Sequence, residues 1–415
     1  MQGLHLTADL YQCACDPALL TDAALLAELC RGRTLDSGLT LVNEKWHTFP
    51  DFDGHPGGVT GALLLAESHL AIHTWPERGG ITLDVYVCNF MADNSGKAEA
   101  LLHGLVEVFQ PGKAQYERLQ RGDENGPGAN GELLLESLND TSAFGFRFAR
   151  RLHAEQTPYQ RLEILESKEL GRCLRLDGLF MTSEADEFFY HEALVHPAAL
   201  AHPAPATALV IGGGDGGAIE ELLKHPSLRD ITLVELDQRV VDAARQYLPS
   251  IHKNAFDDPR VRLRFQDGAR FLADTPRKFD LILLDLTDPE TPAGPLYTRE
   301  FFQLCQSALT ADGALVMHLG APFHEKDQVR DMSAKLASVF KQVHGYGLHI
   351  PLYGAYWALA VASDTLDPTT LDAATVSQRL RERGIGGLQY YNEGIHAALF
   401  ALPNFYRALM PAVKK

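Results

Sequence analysis

The first third of the chain mixes two hydrophobic rhythms. "GLTLVNEKWHTF", "GALLLAESHLAIHTW" and "GITLDVYVCNF" are short runs rich in aliphatic and aromatic residues, bounded by Gly and Pro, which predicts strands. "LLTDAALLAELCRG" and "SGKAEALLHGLVEVF" carry apolar residues at helical spacing, the second with a serine start signal. Together they predict a small α+β sandwich. Further on, "QRLEILESKELGRCLRLDGLFMTSE" alternates as short hairpin strands. Buried strand-like runs follow, "ATALVIGGG", "DITLVELD", "VRLRFQDG" and "FDLILLDLTD", separated by helical stretches such as "GGAIEELLKHP" and "QRVVDAARQYL". Apolar strands alternating with helices predict a doubly wound, mostly parallel sheet, which binds ligands at the carboxyl ends of its strands. Between the two regions "RGDENGPGANG" has no apolar periodicity and reads as a linker. The expected layout is a domain over residues 1–120, a linker over 121–131, a β-hairpin subdomain over 132–190 and the doubly wound domain over 191–415.

Charge narrows the partners. A formal net charge of −17 argues against nucleic acid and favours small cationic ligands. The six cysteines show no CxxC spacing, so neither a zinc site nor a disulfide framework is expected. No apolar run approaches the roughly 18 residues of a membrane span, and "MQGLHLTADLYQC" lacks the layout of a signal peptide. A cytoplasmic protein without membrane partners is the expectation.

In the second region "VIGGGDGGAIEEL" is a strand, a glycine-rich turn and a helix start, as in Rossmann-like, methyltransferase-like folds. Glu235, at the end of the next strand, stands where a carboxylate holds both hydroxyls of a ribose. Asp267 in "QDGARF" stands where an adenine amino group is met. "LLDLTDP" adds Asp285 and Asp288, which with Asp215 would line one acidic cleft suited to a polyamine. The motifs "YQRLEILES", "LRLDG", "TSEADEFFYHEALVHP", "IGGGDGG", "VELD", "QDGARFL" and "LLDLTDP" resemble, in order and spacing, the aminopropyltransferases, the spermidine and spermine synthase family. The resemblance implies transfer of an aminopropyl group from decarboxylated S-adenosylmethionine to an amine, releasing methylthioadenosine. It implies that Gln160, Asp215, Glu235, Asp267 and Gly268 bind the nucleoside, that Asp285 is the general base, and that Asp288, Tyr190 and Tyr353 hold the acceptor. Putrescine is the expected acceptor. "DLTDP" in place of the usual DSTDP, and "HIPLYGAYWALAVASD", look closer to thermospermine-type synthases and keep spermidine as the alternative.

In the first region "AESHLAIHTWPE" alternates like a half-buried strand, yet Glu67-Ser68-His69, His73, Cys88 and Thr60 stand at the intervals of the small prokaryotic S-adenosylmethionine decarboxylases, which residues 1–120 resemble. The resemblance implies self-processing: the Ser68 hydroxyl attacks the Glu67 carbonyl, the ester formed is eliminated, and a pyruvoyl group remains at the new N-terminus. Thr60 and His73 would assist these proton movements, Cys88 would return a proton to the substrate, Phe49 would stack on adenine and Glu77 would bind ribose. Cleavage would give chains of 67 and 348 residues. The covalent pyruvoyl group would replace any dissociable cofactor. The expectation is a bifunctional enzyme of polyamine biosynthesis, assembled as a homodimer. An inactive first domain serving only dimerisation is the alternative.

Overall fold

A computed structural model describes residues 3–51, 54–66, 68–89, 92–121 and 131–411. Glu67 and most of the expected linker lie outside the described residues. The chain divides into two compact units, Met1–Ala129 and Asn130–Lys415. Among the described residues no helix is long and apolar enough to cross a membrane.

The first unit is an antiparallel six-stranded sheet with helices on one face. Its strands are β1 (Gly3–Cys13), β2 (Leu41–Thr48), β3 (Val59–Leu65), β4 (Ser68–Trp75), β5 (Gly80–Cys88) and β6 (Pro111–Arg121), in the order β2-β3-β4-β5-β1-β6. Period-two alternation decides what is buried. Leu70, Ile72 and Thr74 of β4 and Ile81, Leu83 and Val85 of β5 join the core with Leu26, Leu101 and Leu105 of the helices Ala23–Asp36 and Ser95–Phe109. His69, His73, Asp84 and Tyr86 point the other way and remain partly exposed. The run "GALLLAESHLAIHTW" is two strands, β3 and β4, paired so that Thr60 faces His73 and Leu65 faces Ser68.

In the second unit β7 (Glu132–Asn139) and β8 (Ser142–Phe148) form a hairpin, and β9 (Arg150–Gln156), β10 (Arg161–Ser167), β11 (Gly171–Leu176) and β12 (Leu179–Ser183) form a four-stranded sheet. The helix Glu187–Ala201 follows and carries Tyr190. The larger sheet contains β13 (Thr207–Gly212), β14 (Asp230–Glu235), β15 (Val261–Phe265), β16 (Phe279–Asp285), β17 (Leu309–Gly320), β18 (Gln342–Ile350) and β19 (Ala355–Ser363). Their order is β15-β14-β13-β16-β17-β19-β18, parallel through β17 and antiparallel beyond it. Val210, Leu233 and Leu283 pack into the core on one side of this sheet, Leu209, Val234 and Ile282 on the other. The carboxyl ends of β13, β14 and β16 meet at one edge, the ligand edge of such sheets.

Candidate active sites

At that edge a cleft with about 1030 Å³ of empty space is lined by Gln160, Asp215, Glu235, Asp267, Asp285 and Tyr353, among others. Its floor depends on glycine. Gly212 ends β13 at φ +80°, where a Cβ would come within 2.0 Å of the Asp285 carbonyl oxygen. At Gly217, opening the next helix, a Cβ would strike the His191 ring at 2.2 Å.

Asp215 accepts the Gly217 N–H at 2.9 Å and lies 3.5 Å from His191 Nε2, while His191 Nδ1 lies 2.7 Å from Glu187. Burial works against both charges, but the flanking carboxylates hold His191 well above the ordinary imidazole range and the imidazolium keeps Asp215 below the carboxylate range. Asp285 has the opposite setting. Burial and the Asp215 charge push it up to about 7, and its Oδ2 is buried without a partner. Glu235 accepts the Asp237 N–H at 2.8 Å, and burial pushes it up to about 7. Gln160 Nε2 donates to Asp237 at 3.2 Å. Asp267 is exposed and caps the helix Gly268–Asp274 through Arg270 N–H at 2.8 Å, so a helix cap faces the cleft.

Beyond Asp285 the cleft continues into a chamber with about 350 Å³ of empty space, lined by Glu136, Tyr190, Asp288, His318, Tyr353 and Trp357. Tyr190 and Tyr353 stand edge to face, their centroids 6.0 Å apart, and the Tyr353 hydroxyl donates to the Met181 carbonyl at 2.8 Å. Burial pushes Asp288 up to about 6, Glu136 to about 8 and Glu325 to about 7, and Asp288 also raises the other two by repulsion. Two carboxyls lining a small chamber, Glu136 and Asp288, suit a cation.

In the first unit the Cys88 N–H donates to Ser68 Oγ at 3.2 Å, and Thr60 Oγ1 lies 3.0 Å from His73 Nδ1. These are two separate clusters. Ser68 and His73 are five residues apart on β4, roughly 16 Å at about 3.3 Å per residue. Phe49 and Glu77 share a pocket with Thr60 and His73, at the end remote from Ser68.

Comparison with known proteins gives the two units their relatives. Residues 187–372 match the spermine/spermidine synthase domain, residues 136–184 the spermidine synthase tetramerisation domain and residues 4–122 S-adenosylmethionine decarboxylase. A polyamine aminopropyltransferase of Nitrosomonas europaea is 43% identical over 279 residues, covering 67% of this chain and 86% of that protein. The polyamine aminopropyltransferase 1 of Pseudomonas aeruginosa is 42% identical over 265 residues, covering 63% of this chain and 92% of its own. The chain belongs to the polyamine aminopropyltransferase family. This aminopropyltransferase also carries an S-adenosylmethionine decarboxylase unit, so one chain holds both activities. Among solved structures, a spermidine synthase in complex with the transition state analogue AdoDATO superposes with a TM-score of 0.64 at 35% identity, covering 70% of this chain and 98% of the other. Spermidine synthase from Thermotoga maritima gives 0.62 at 33%, covering 70% and 97%.

The transferase cleft contains residues the motifs did not single out. His191 falls four positions after Glu187, a helical spacing that puts both on one face. Glu136 comes from β7 and lines the chamber, and Glu325, just before the helix that follows β17, adds its charge from behind the lining; neither sits in a motif. In the decarboxylase unit His5, His69 and Asp84 converge on the open sheet face, with ligand-type atoms within 4.8 Å of one another.

Proposed function

We propose that the transferase uses Asp285 to deprotonate the acceptor amine while Asp215 holds the ammonium of the aminopropyl donor. The observation that carries this is the opposed setting of the two carboxyls, one pushed up to about 7 and the other kept ionised by His191. A carboxyl near 7 takes a proton at neutral pH and returns it to solvent without a large barrier. Glu235 and Asp267 hold the ribose and adenine, with Gln160 and Gly268 beside them. The freed amine nitrogen attacks the carbon next to the sulfonium; the C–N bond forms as the C–S bond breaks, methylthioadenosine leaves with the electron pair, and the proton goes to Asp285. Tyr190 and Tyr353 flank the acceptor, and Asp288 and Glu136 hold its remote ammonium. A short, compact chamber supports putrescine as the acceptor and spermidine as the product.

For the decarboxylase we propose self-cleavage between Glu67 and Ser68 and a pyruvoyl group derived from Ser68. The residues present fit that group. Ser68 is the first residue of β4, so a new end there leaves the strand paired, and the Cys88 N–H already meets its side chain. When formed, the group supplies the electron sink for loss of carbon dioxide. Cys88 returns the proton to the α-carbon. The remoteness of Thr60 and His73 from Ser68 supports a homodimer in which the sheets of two copies pack antiparallel. One copy's Thr60, His73, Phe49 and Glu77 then complete the other's Ser68 and Cys88.

The test is to incubate the protein with S-adenosylmethionine and either putrescine or spermidine, adding no decarboxylated donor, and to identify the polyamines by mass and isomer. Spermidine from putrescine supports the reading. Product only from spermidine would reassign the acceptor, and no carbon dioxide release would remove the decarboxylase.

A further inference from the structure

The proposed base and the proposed amine-holding carboxylate are separated by two residues only, Leu286 and Thr287. Both of their carbonyl groups are held from outside the turn. His318, on β17, is 3% exposed and stacks on Trp357 at 5.8 Å and 22°. Its Nε2 lies 3.0 Å from the Leu286 carbonyl oxygen and 2.8 Å from Tyr297 Oη, and Tyr297 Oη lies 2.7 Å from the Thr287 carbonyl oxygen.

Counting protons assigns every role. A carbonyl only accepts and a phenol has one hydrogen, so the Tyr297 hydroxyl donates to Thr287 and receives the Nε2–H of His318, which is shared with Leu286. His318 is therefore the neutral Nε2–H tautomer. Burial, opposed in part by the Leu286 carbonyl, pushes it down to about 4, so this form persists at neutral pH. Its Nδ1 carries a lone pair and is buried without a partner, on a residue that lines the acidic chamber.

We infer that Tyr297 and His318 are a positioning pair, pinning two consecutive carbonyls so that Asp285 and Asp288 keep one fixed separation along the acceptor amine. The inference rests on the roles given to those two carboxyls above. Neither residue of the pair needs to touch the reacting atoms. Their effect is geometric, and transfer reactions are steeply sensitive to small misplacement of the reacting groups.

The experiment compares Tyr297→Phe, His318→Leu and His318→Gln in the full chain, supplied with decarboxylated S-adenosylmethionine and the acceptor polyamine the wild type uses. Tyr297→Phe and His318→Leu should each lower kcat/KM for the acceptor by about tenfold or more, the size expected for losing a buried hydrogen bond. Methylthioadenosine affinity should stay within about twofold, because neither Tyr297 nor His318 lines the nucleoside cleft. His318→Gln, which can present an N–H at the Nε2 position, should recover most of the rate, and the Tyr297→Phe, His318→Leu double variant should be no worse than the weaker single one. An unchanged acceptor kcat/KM would overturn the inference. So would an equal loss in nucleoside affinity and melting temperature, which marks a merely structural role, or a Gln variant as impaired as the Leu variant. Failure of the base assignment is read separately, as transfer surviving Asp285→Asn.

Discussion

In the second unit His191, Asp215 and Asp285 come from one helix and two strand ends and meet in one cleft, so the carboxyls proposed to act in transfer are all supplied by a single chain. In the first unit Ser68 with Cys88 and Thr60 with His73 stand about five strand residues apart on the same β4. The difference follows from architecture. A parallel sheet gathers loop residues at one edge whatever their distance in sequence, whereas an antiparallel sheet spreads its side chains along straight strands. A site on such a face is completed by something laid over it.

Mixing variants tests whether the first unit's site is shared between two copies. Ser68→Ala alone should leave an uncut 415-residue chain with no carbon dioxide release, and His73→Ala alone should lose nearly all processing. Co-expressed, the two should form mixed pairs with one intact site, restoring cleaved chain on a denaturing gel. No recovery would mean that each site is built within one copy.

For the transferase, Asp285→Asn should lower turnover by about 10³-fold, within the range for a lost general base, while methylthioadenosine still binds by calorimetry. Because Asp285 sits near 7 in the folded protein against 3.8 ordinarily, it binds its proton more tightly when folded. Two consequences run in opposite directions: wild-type kcat/KM for the acceptor should rise as pH rises through about 7, whereas the stability that the buried neutral carboxyl retains at low pH should be lost as pH rises from about 4 to about 7. Asp285→Asn should then melt higher than wild type above pH 7, the gain fading toward pH 4.

A smaller effect separates the chamber from the nucleoside half. Glu136→Gln should raise the acceptor KM roughly tenfold, the scale of one charge-assisted hydrogen bond, and leave the donor KM unchanged. A change in donor KM instead would place Glu136 outside the acceptor subsite.

Much of the transferase was legible because strand, turn and helix are contiguous: the glycine-rich turn, Glu235 and Asp267 each mark the end of a strand that its own apolar run declares. Glu136, Glu325 and His318 were not, since each owes its place to tertiary packing of elements far apart in the chain, and nothing local distinguishes them from surface or core residues. In the decarboxylase unit the hydrophobic rhythm gave β2 to β5, with β3 and β4 read as one run, and both longer helices, but not the inner strand β1. It passed over β6, "PGKAQYERLQR", an edge strand whose polar residues leave little apolar alternation to read. It also placed Ser68 and His73 side by side in sequence, where an extended backbone holds them apart.

That separation on β4 bears on how the enzyme comes into being. If each cut draws on a second copy, maturation is second order in newly made chain while that chain is mostly unpaired: halving the concentration of precursor then quarters the initial rate at which active decarboxylase appears. The length of one strand would then make the cell's first commitment to polyamine synthesis depend on how much of the protein has accumulated, before any substrate is met.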